Sequence, residues 1–166
     1  MELYNLNPSY NPREVMKDIF TSIPEFPIHG GWGYSKEDAV VIDKYDSIVN
    51  QQLPFFDGVS YEYTFLEYRN YLELITSRPD DDRYSMIRYK TLHQEVIAGG
   101  DKKYDHITIE VTCLKDEDFD ELKKEWEENS ENENFDHDEH NKKRDTKTIH
   151  FEREGWFEIS SFYGIQ

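Results

Sequence analysis

The chain has 166 residues and a mass of 20.0 kDa, the usual size of one compact domain with one hydrophobic core, which argues against several domains. It carries 36 acidic and 19 basic residues, a formal net charge of −17 that argues against nonspecific binding to nucleic acid or to an anionic membrane. The mean hydropathy is −0.91, but 12 Tyr, 10 Phe and 3 Trp supply apolar bodies large enough to build a core.

The first predicted element is a helix over residues 12–22. Asn11 is a favourable N-cap and Pro12 suits the first helical position. Two prolines and three glycines in residues 24–34 predict an ordered loop, held by its aromatic side chains. A short strand is predicted next, over residues 38–43.

The next segment changes its periodicity part-way along. Apolar and polar side chains alternate over residues 59–65, which predicts a half-buried strand. From Leu66 onward the apolar spacing becomes helical, and we expect a helix over residues 66–76. One long bent strand is the alternative that the pattern leaves open.

A long β-hairpin is predicted from two strands, residues 84–98 and 104–114, joined by the turn at residues 99–102. Cys113, the single cysteine, cannot form an internal disulfide and lies in the apolar run ITIEVTCL. This setting predicts a buried structural thiol rather than a nucleophile.

The C-terminal third begins with an acidic helix over residues 116–129. Residues 129–145 are strongly polar and predict a mobile acidic loop. The chain then closes with residues 148–151 and 156–159, interpreted as a hairpin or as two edge strands hinged at Gly155.

These elements predict one α+β domain over residues 1–166, with a mainly antiparallel sheet, an N-terminal helix and an acidic helix in the C-terminal half. No apolar run reaches the roughly 18 residues of a membrane-spanning helix, and the opening sequence MELYNLNPSY lacks the pattern of a signal peptide. We therefore expect a cytoplasmic protein that does not bind membranes, with a homodimer as an open alternative.

Charge is distributed unevenly along the chain. The segment from Asp116 to His140 holds 13 acids and 2 lysines, a net charge of −11. Such a concentration can steer a basic protein partner, although a solvated face that only aids solubility is the competing interpretation. Trp126 and Phe135 are candidate anchors, but the helical stripe that contains Trp126 favours a core position for it.

The predicted partner-binding set combines the acids of this segment with two aromatic residues of the glycine-rich loop, which offer rigid contact area. Its members are Asp116, Glu117, Asp118, Glu121, Glu125, Glu127, Glu128, Glu131, Glu133, Trp32 and Tyr34.

No catalytic or metal-binding site is predicted. His137 and His140 stand with three acids within six residues, but a metal centre usually draws its ligands from rigid, separate elements. Nucleophile-elbow and phosphate-binding glycine motifs are absent from the sequence, and the remaining histidines have no fixed spacing to a nucleophile. We expect neither a cofactor nor a resident metal, and no enzyme activity.

Two segments carry a family resemblance: residues 26–39, FPIHGGWGYSKEDA, and residues 103–112, KYDHITIEVT. Through them the chain resembles small bacterial proteins of polymorphic-toxin loci, over about residues 26–128. The resemblance implies an immunity protein that forms one tight complex with a cognate protein toxin, with no turnover and no cofactor.

Two other functions stay open. An acidic mimic of nucleic acid, such as an anti-defence protein, would array its charges along a rigid face. A small ligand-binding domain or enzyme would instead have a pocket lined by Trp32, Tyr34 and histidines.

Overall fold

The computed structural model describes residues 1–52 and 56–164. Its helices are α1 (Pro12–Ile19), α2 (Val49–Gln52), α3 (Gly58–Tyr71), α4 (Asp116–Asn129) and α5 (His137–Lys147). Its strands are β1 (Ile28–Gly30), β2 (Val40–Ile42), β3 (Tyr84–Gly99), β4 (Lys102–Lys115) and β5 (Ile149–Glu158). A π-helical turn, Leu72–Thr76, extends α3, and a short 3-10 turn spans Asp80–Asp82.

Across the described residues, the strands form one five-stranded sheet in the order β1-β2-β5-β4-β3. All neighbouring pairs are antiparallel except β2 and β5, which run parallel with Val40 opposite Phe157. The predicted α+β fold with a mainly antiparallel sheet is therefore confirmed.

Local signals placed most of the N-terminal elements correctly. Helix α1 begins where it was predicted, and the Asn11 side chain accepts hydrogen bonds from the amides of Arg13 and Glu14. It ends at Ile19, earlier than predicted, because the backbone of Phe20 leaves the helical region. The strand at 38–43 corresponds to β2, and the loop at 24–34 also contains β1.

The predicted hairpin and acidic helix are confirmed as β3, β4 and α4. Strand β3 lies at the edge of the sheet and has two register shifts against β4, one of them next to Met86, which has a φ of 55°. Cys113 is buried, as predicted, and burial raises the pKa of its thiol to about 11.

The strand predicted over residues 59–65 is wrong, because this segment belongs to α3. Asp57 caps the helix by accepting a hydrogen bond from the amide of Ser60. The alternation was misleading because Glu62, taken as a solvent-facing polar residue, is only 1% exposed. The bent-strand alternative is wrong too, and the helix predicted over 66–76 is the continuation of α3 into the π-helical turn.

The mobile loop predicted over residues 129–145 is also wrong over most of its length. Asp136 accepts a hydrogen bond from the amide of Glu139 at 2.9 Å and starts α5, which begins at His137. Acids in its first turn and Arg144 and Lys147 in its last turn suit the helix dipole, so a highly polar sequence still forms a helix.

The last two predicted strands are one strand, β5, with Gly155 inside it rather than at a hinge. Residues 152–155, EREG, are polar and resemble a turn between the two predicted strands. In the structure they continue the strand, because Arg153 faces inward and pairs with the buried Glu73. Gly155 lies opposite Ile107, and an added Cβ would stand 2.7 Å from the Cδ2 atom of Leu66. The glycine is therefore needed for close packing of α3 on the sheet.

The core lies between one face of the sheet and the helices that cover it. Phe65 of α3 contacts Phe157 of β5 with ring centroids 5.8 Å apart, and Trp32 contacts Phe65 at 6.2 Å. Met16 brings α1 into the same cluster. None of the helices in the described residues is long and apolar enough to cross a membrane.

Candidate functional site

Helices α4 and α5, with the turn between them, form a unit that we call the acidic arm, residues 116–147. The arm is an insertion between two neighbouring strands, because β4 and β5 are still paired at Cys113 and Ile149, beside the point where the arm leaves the sheet. Insertions of this kind carry function more often than the scaffold that holds them.

Some of the predicted contact acids instead join the two helices of the arm. The Nζ atom of Lys147 lies 2.5 Å from Asp118 and 3.0 Å from Glu121, and these contacts raise the pKa of the lysine. Lys143 lies 3.1 Å from Glu125, and its hydrogen bond lowers the pKa of that carboxyl. The pairs connect the start of α4 with the end of α5, so the helices run antiparallel.

The remaining predicted acids differ in their exposure. Asp116 accepts a hydrogen bond from Ser85 at 2.7 Å and anchors the arm to β3. Five others are solvent-exposed: Glu117, Glu127, Glu128, Glu131 and Glu133. Asp120, which was not predicted, is exposed as well.

The exposed acids are only weakly neutralised by lysines on the same helix. Glu127 and Glu128 are 63% and 60% exposed, and each has a lysine four residues earlier at 3.9 Å. Pairs of this kind at the surface contribute little to stability, so these carboxylates are available to a partner.

An aromatic cluster lies at the far end of the arm. Trp126 contacts Phe135, His137 and His140 with ring centroids 6.1, 5.4 and 5.5 Å apart. Trp126 is 46% exposed, so the core position favoured by its helical stripe is wrong. His140 is buried, and its Nδ1 atom lies 3.5 Å from the carboxylate of Glu125.

The two histidines considered as metal ligands therefore serve as packing partners of Trp126. Among residues 1–52 and 56–164, no group of three or more His, Cys, Asp or Glu side chains is arranged to hold a metal ion.

Of the two aromatic residues predicted as partner contacts, Trp32 is buried and Tyr34 is half-buried. Trp32 is 1% exposed, and its Nε1 donates a hydrogen bond to the carbonyl oxygen of Asn7 at 3.2 Å. The hydroxyl of Tyr34 donates to Glu73 at 2.7 Å and accepts from the amide of Leu6 at 2.9 Å. The expectation that Trp32 presents contact area is wrong, because the glycine-rich loop turns it into the core.

Sequence reasoning missed a set of buried ionisable groups around α3. The guanidinium of Arg69 is fully buried, lies 3.4 Å from Glu73 and stands 4.7 Å from the ring centroid of Tyr34. Arg153 contacts the other oxygen of Glu73 at 2.7 Å, so one carboxylate serves two arginines. This network ties α3 to β5.

A second buried group lies two turns before Arg69 on α3. Glu62 is buried near Asp105, whose Oδ2 accepts a hydrogen bond from Gln94 at 2.5 Å. Burial and the nearby Asp105 carboxylate raise the pKa of Glu62 to about 9, so the side chain is protonated at neutral pH. A glutamate within a mixed apolar and polar run offers no pattern that would have predicted this pair.

Comparisons with models of protein families, with curated proteins and with solved structures gave no match to this chain.

Proposed function

We propose that this protein is an immunity-type inhibitor that uses the acidic arm to bind a basic protein toxin. The observation that carries the proposal is the half-exposed Trp126 beside a row of exposed carboxylates on a helical insertion. Binding surfaces commonly place an aromatic anchor in a polar rim, and an exposed Trp is the residue type most often found as an anchor.

Charge supports a basic partner. The arm holds 14 of the 36 acids of the chain and six basic residues. A local excess of negative charge accelerates encounter with a positively charged surface and makes binding weaken as salt is added. The sequence resemblance to immunity proteins favours a protein toxin as the partner, and a basic nuclease would match the charge.

The geometry divides the predicted contact set into two groups. Asp118, Glu121 and Glu125 hold α4 against α5, and Asp116 anchors the arm, so we assign them a structural role. The binding role is assigned to the exposed acids and to Trp126.

The test is a binding titration with the purified product of the neighbouring gene as the candidate toxin. The combined substitutions Glu127→Lys, Glu128→Lys and Glu131→Lys are expected to raise Kd by about tenfold or more and to reduce its salt dependence. Trp126→Ala is expected to raise the dissociation rate, because it removes an anchor rather than a steering charge.

A matched control changes the net charge equally but leaves the arm intact. Asp18→Lys, Glu37→Lys and Glu67→Lys alter three exposed acids on other elements. If both triple variants weaken binding equally, overall charge is responsible and the arm is not the docking surface.

A nucleic-acid mimic is the second candidate, because the arm is helical rather than a mobile loop. Glu117, Asp120 and Glu127 are solvent-exposed on α4. Glu117 and Asp120 are three residues apart, a spacing at which helical Cβ atoms stand about 5–6 Å from one another, and Glu127 lies two turns further along the helix. Such a mimic would compete with duplex DNA for a DNA-handling enzyme. An immunity protein that binds away from the nucleic-acid site would remain bound in the presence of DNA.

A further inference from the structure

A cavity of about 500 Å³ lies between the N-terminal segment of residues 4–7, helix α1 and the π-helical turn. Its walls include Val15 and Ile19 of α1, Leu72 of the π-helical turn and the buried Trp32. This volume is within the range of about 300–1,000 Å³ that is common for small-molecule sites.

The lining of the cavity is unusual for this chain because it contains no charged residue. One third of the chain is Asp, Glu, Lys or Arg, and three other cavities in the described residues, at β3, β5 and β2, each include charged side chains. A charged ligand would lose hydration here without gaining a counter-ion. A neutral ligand has no charge to desolvate, so it enters at a lower cost.

Three side chains from elsewhere in the fold hold the N-terminal segment of residues 4–7, one wall of the cavity, in place. Arg153 donates to the carbonyl oxygen of Tyr4 at 2.8 Å, Tyr34 accepts from the amide of Leu6, and Trp32 donates to the carbonyl oxygen of Asn7. These contacts use the backbone of the segment, so the Leu6 side chain is free to line the cavity.

Two further features point to a ligand. The floor includes residues of the π-helical turn, and such turns are rare and frequently occur at functional sites. Tyr4, Tyr10 and Trp32 supply aromatic surface, and uncharged polar residues complete the lining: Asn5, Asn7, Thr76 and Ser77.

We propose that this cavity binds a neutral, mainly apolar small molecule that contains a ring and a hydrogen-bonding group. The aromatic side chains contact the ring, and the uncharged polar side chains bind the hydrogen-bonding group. The cavity shares no lining residue with the acidic arm, so this inference goes beyond the proposed function and stands or fails independently of it.

The test compares two fluorescent probes with the same ring system. N-phenyl-1-naphthylamine is neutral, and 1-anilinonaphthalene-8-sulfonate adds one negative charge. Titration of the full chain is expected to show saturable, one-to-one binding of the neutral probe, with the sulfonate binding at least about tenfold more weakly.

A cavity-filling variant assigns the binding to this location. Ile19→Trp introduces a larger side chain at a wall position that is 40% exposed, and it is expected to abolish binding of the neutral probe. Val59→Trp is the matched control, because Val59 is a 51% exposed aliphatic residue outside the cavity lining, and this variant should bind the probe like the unmodified chain.

Circular dichroism establishes that both variants are folded. The proposal is overturned if the neutral probe does not bind, if the sulfonate binds equally well, or if Ile19→Trp leaves binding unchanged. Absence of probe binding together with weaker toxin binding by Ile19→Trp would assign the cavity to a side chain of a protein partner instead.

Discussion

At the scale of single residues, the buried carboxyl of Glu62 has the clearest energetic consequence. Burial and Asp105 raise its pKa from an ordinary value of 4.5 to about 9. The folded protein therefore holds a proton that the unfolded chain releases between these two values. The stability that this proton contributes is complete below about pH 4.5 and is lost as the pH rises through about 9.

Glu62→Gln is expected to remove this dependence, because the amide is neutral at every pH and its NH2 group is a hydrogen-bond donor beside the Asp105 carboxylate. The temperature at the midpoint of thermal unfolding of the unmodified chain should decrease as the pH is raised from about 5 to about 9. The midpoint temperature of Glu62→Gln should change much less over the same range. Calorimetry at several pH values in this window measures the difference. Glu117→Gln, at a 75% exposed position, is the control and should retain the unmodified slope; an equal slope for Glu62→Gln would contradict the assignment.

At the scale of elements, α5 depends on its ends rather than on an apolar face. Only His140 is buried along it, while the Asp136 cap and the first-turn acids stabilise its start. Lys143 and Lys147 then hold it to α4. Its stability is consequently local and should respond to single substitutions at the cap.

Asp136→Ala is expected to destabilise α5 by about 1 kcal/mol, because the amide of Glu139 loses its acceptor. Backbone amides of residues 137–147 should then exchange with deuterium about fivefold faster, with little change in the sheet. Hydrogen exchange followed by mass spectrometry measures this. Asp138→Ala is the control, because it removes an exposed acid from the same turn and leaves the cap in place. If the two variants accelerate exchange of the α5 amides equally, the Asp136 cap is not what stabilises the helix.

At the scale of the whole molecule, the arm extends from one end of the β4–β5 pair, and its helix α4 packs against β3 and β4. The arm contains 14 acids and six basic residues, while its contacts with the sheet include the Ser85–Asp116 hydrogen bond. Leu122 is the buried apolar residue of α4. This organisation separates a scaffold from the surface proposed to bind a partner.

Replacement of residues 116–147 by Asn-Gly should therefore leave a folded sheet. Lys115 and the two new residues would form a three-residue hairpin loop between Leu114 and Thr148, which keeps the register of Cys113 with Ile149. Cooperative urea unfolding with reduced stability is expected, together with loss of toxin binding. Failure of the shortened chain to fold would show that the arm belongs to the core, and unchanged binding would exclude it as the docking surface.

The sequence alone determined the elements whose signals are local. The Asn11 cap, the alternation in β4, the glycine turn of the hairpin and the dense acids of α4 each depend on near neighbours in the chain, and each was predicted correctly. The concentration of charge in the arm was equally visible, because charge depends on composition and not on packing.

Tertiary structure alone decided which residues face one another. Glu62 is buried through long-range packing of α3, so its segment was taken for a strand; Gly155 is internal to β5 because Leu66 packs above it. Trp32 is enclosed while Trp126 is half exposed, the reverse of the expectation, because burial depends on contacts between distant segments. The same contacts separate the acids that brace the arm from those that remain exposed, and they assemble the neutral cavity from three separate parts of the chain.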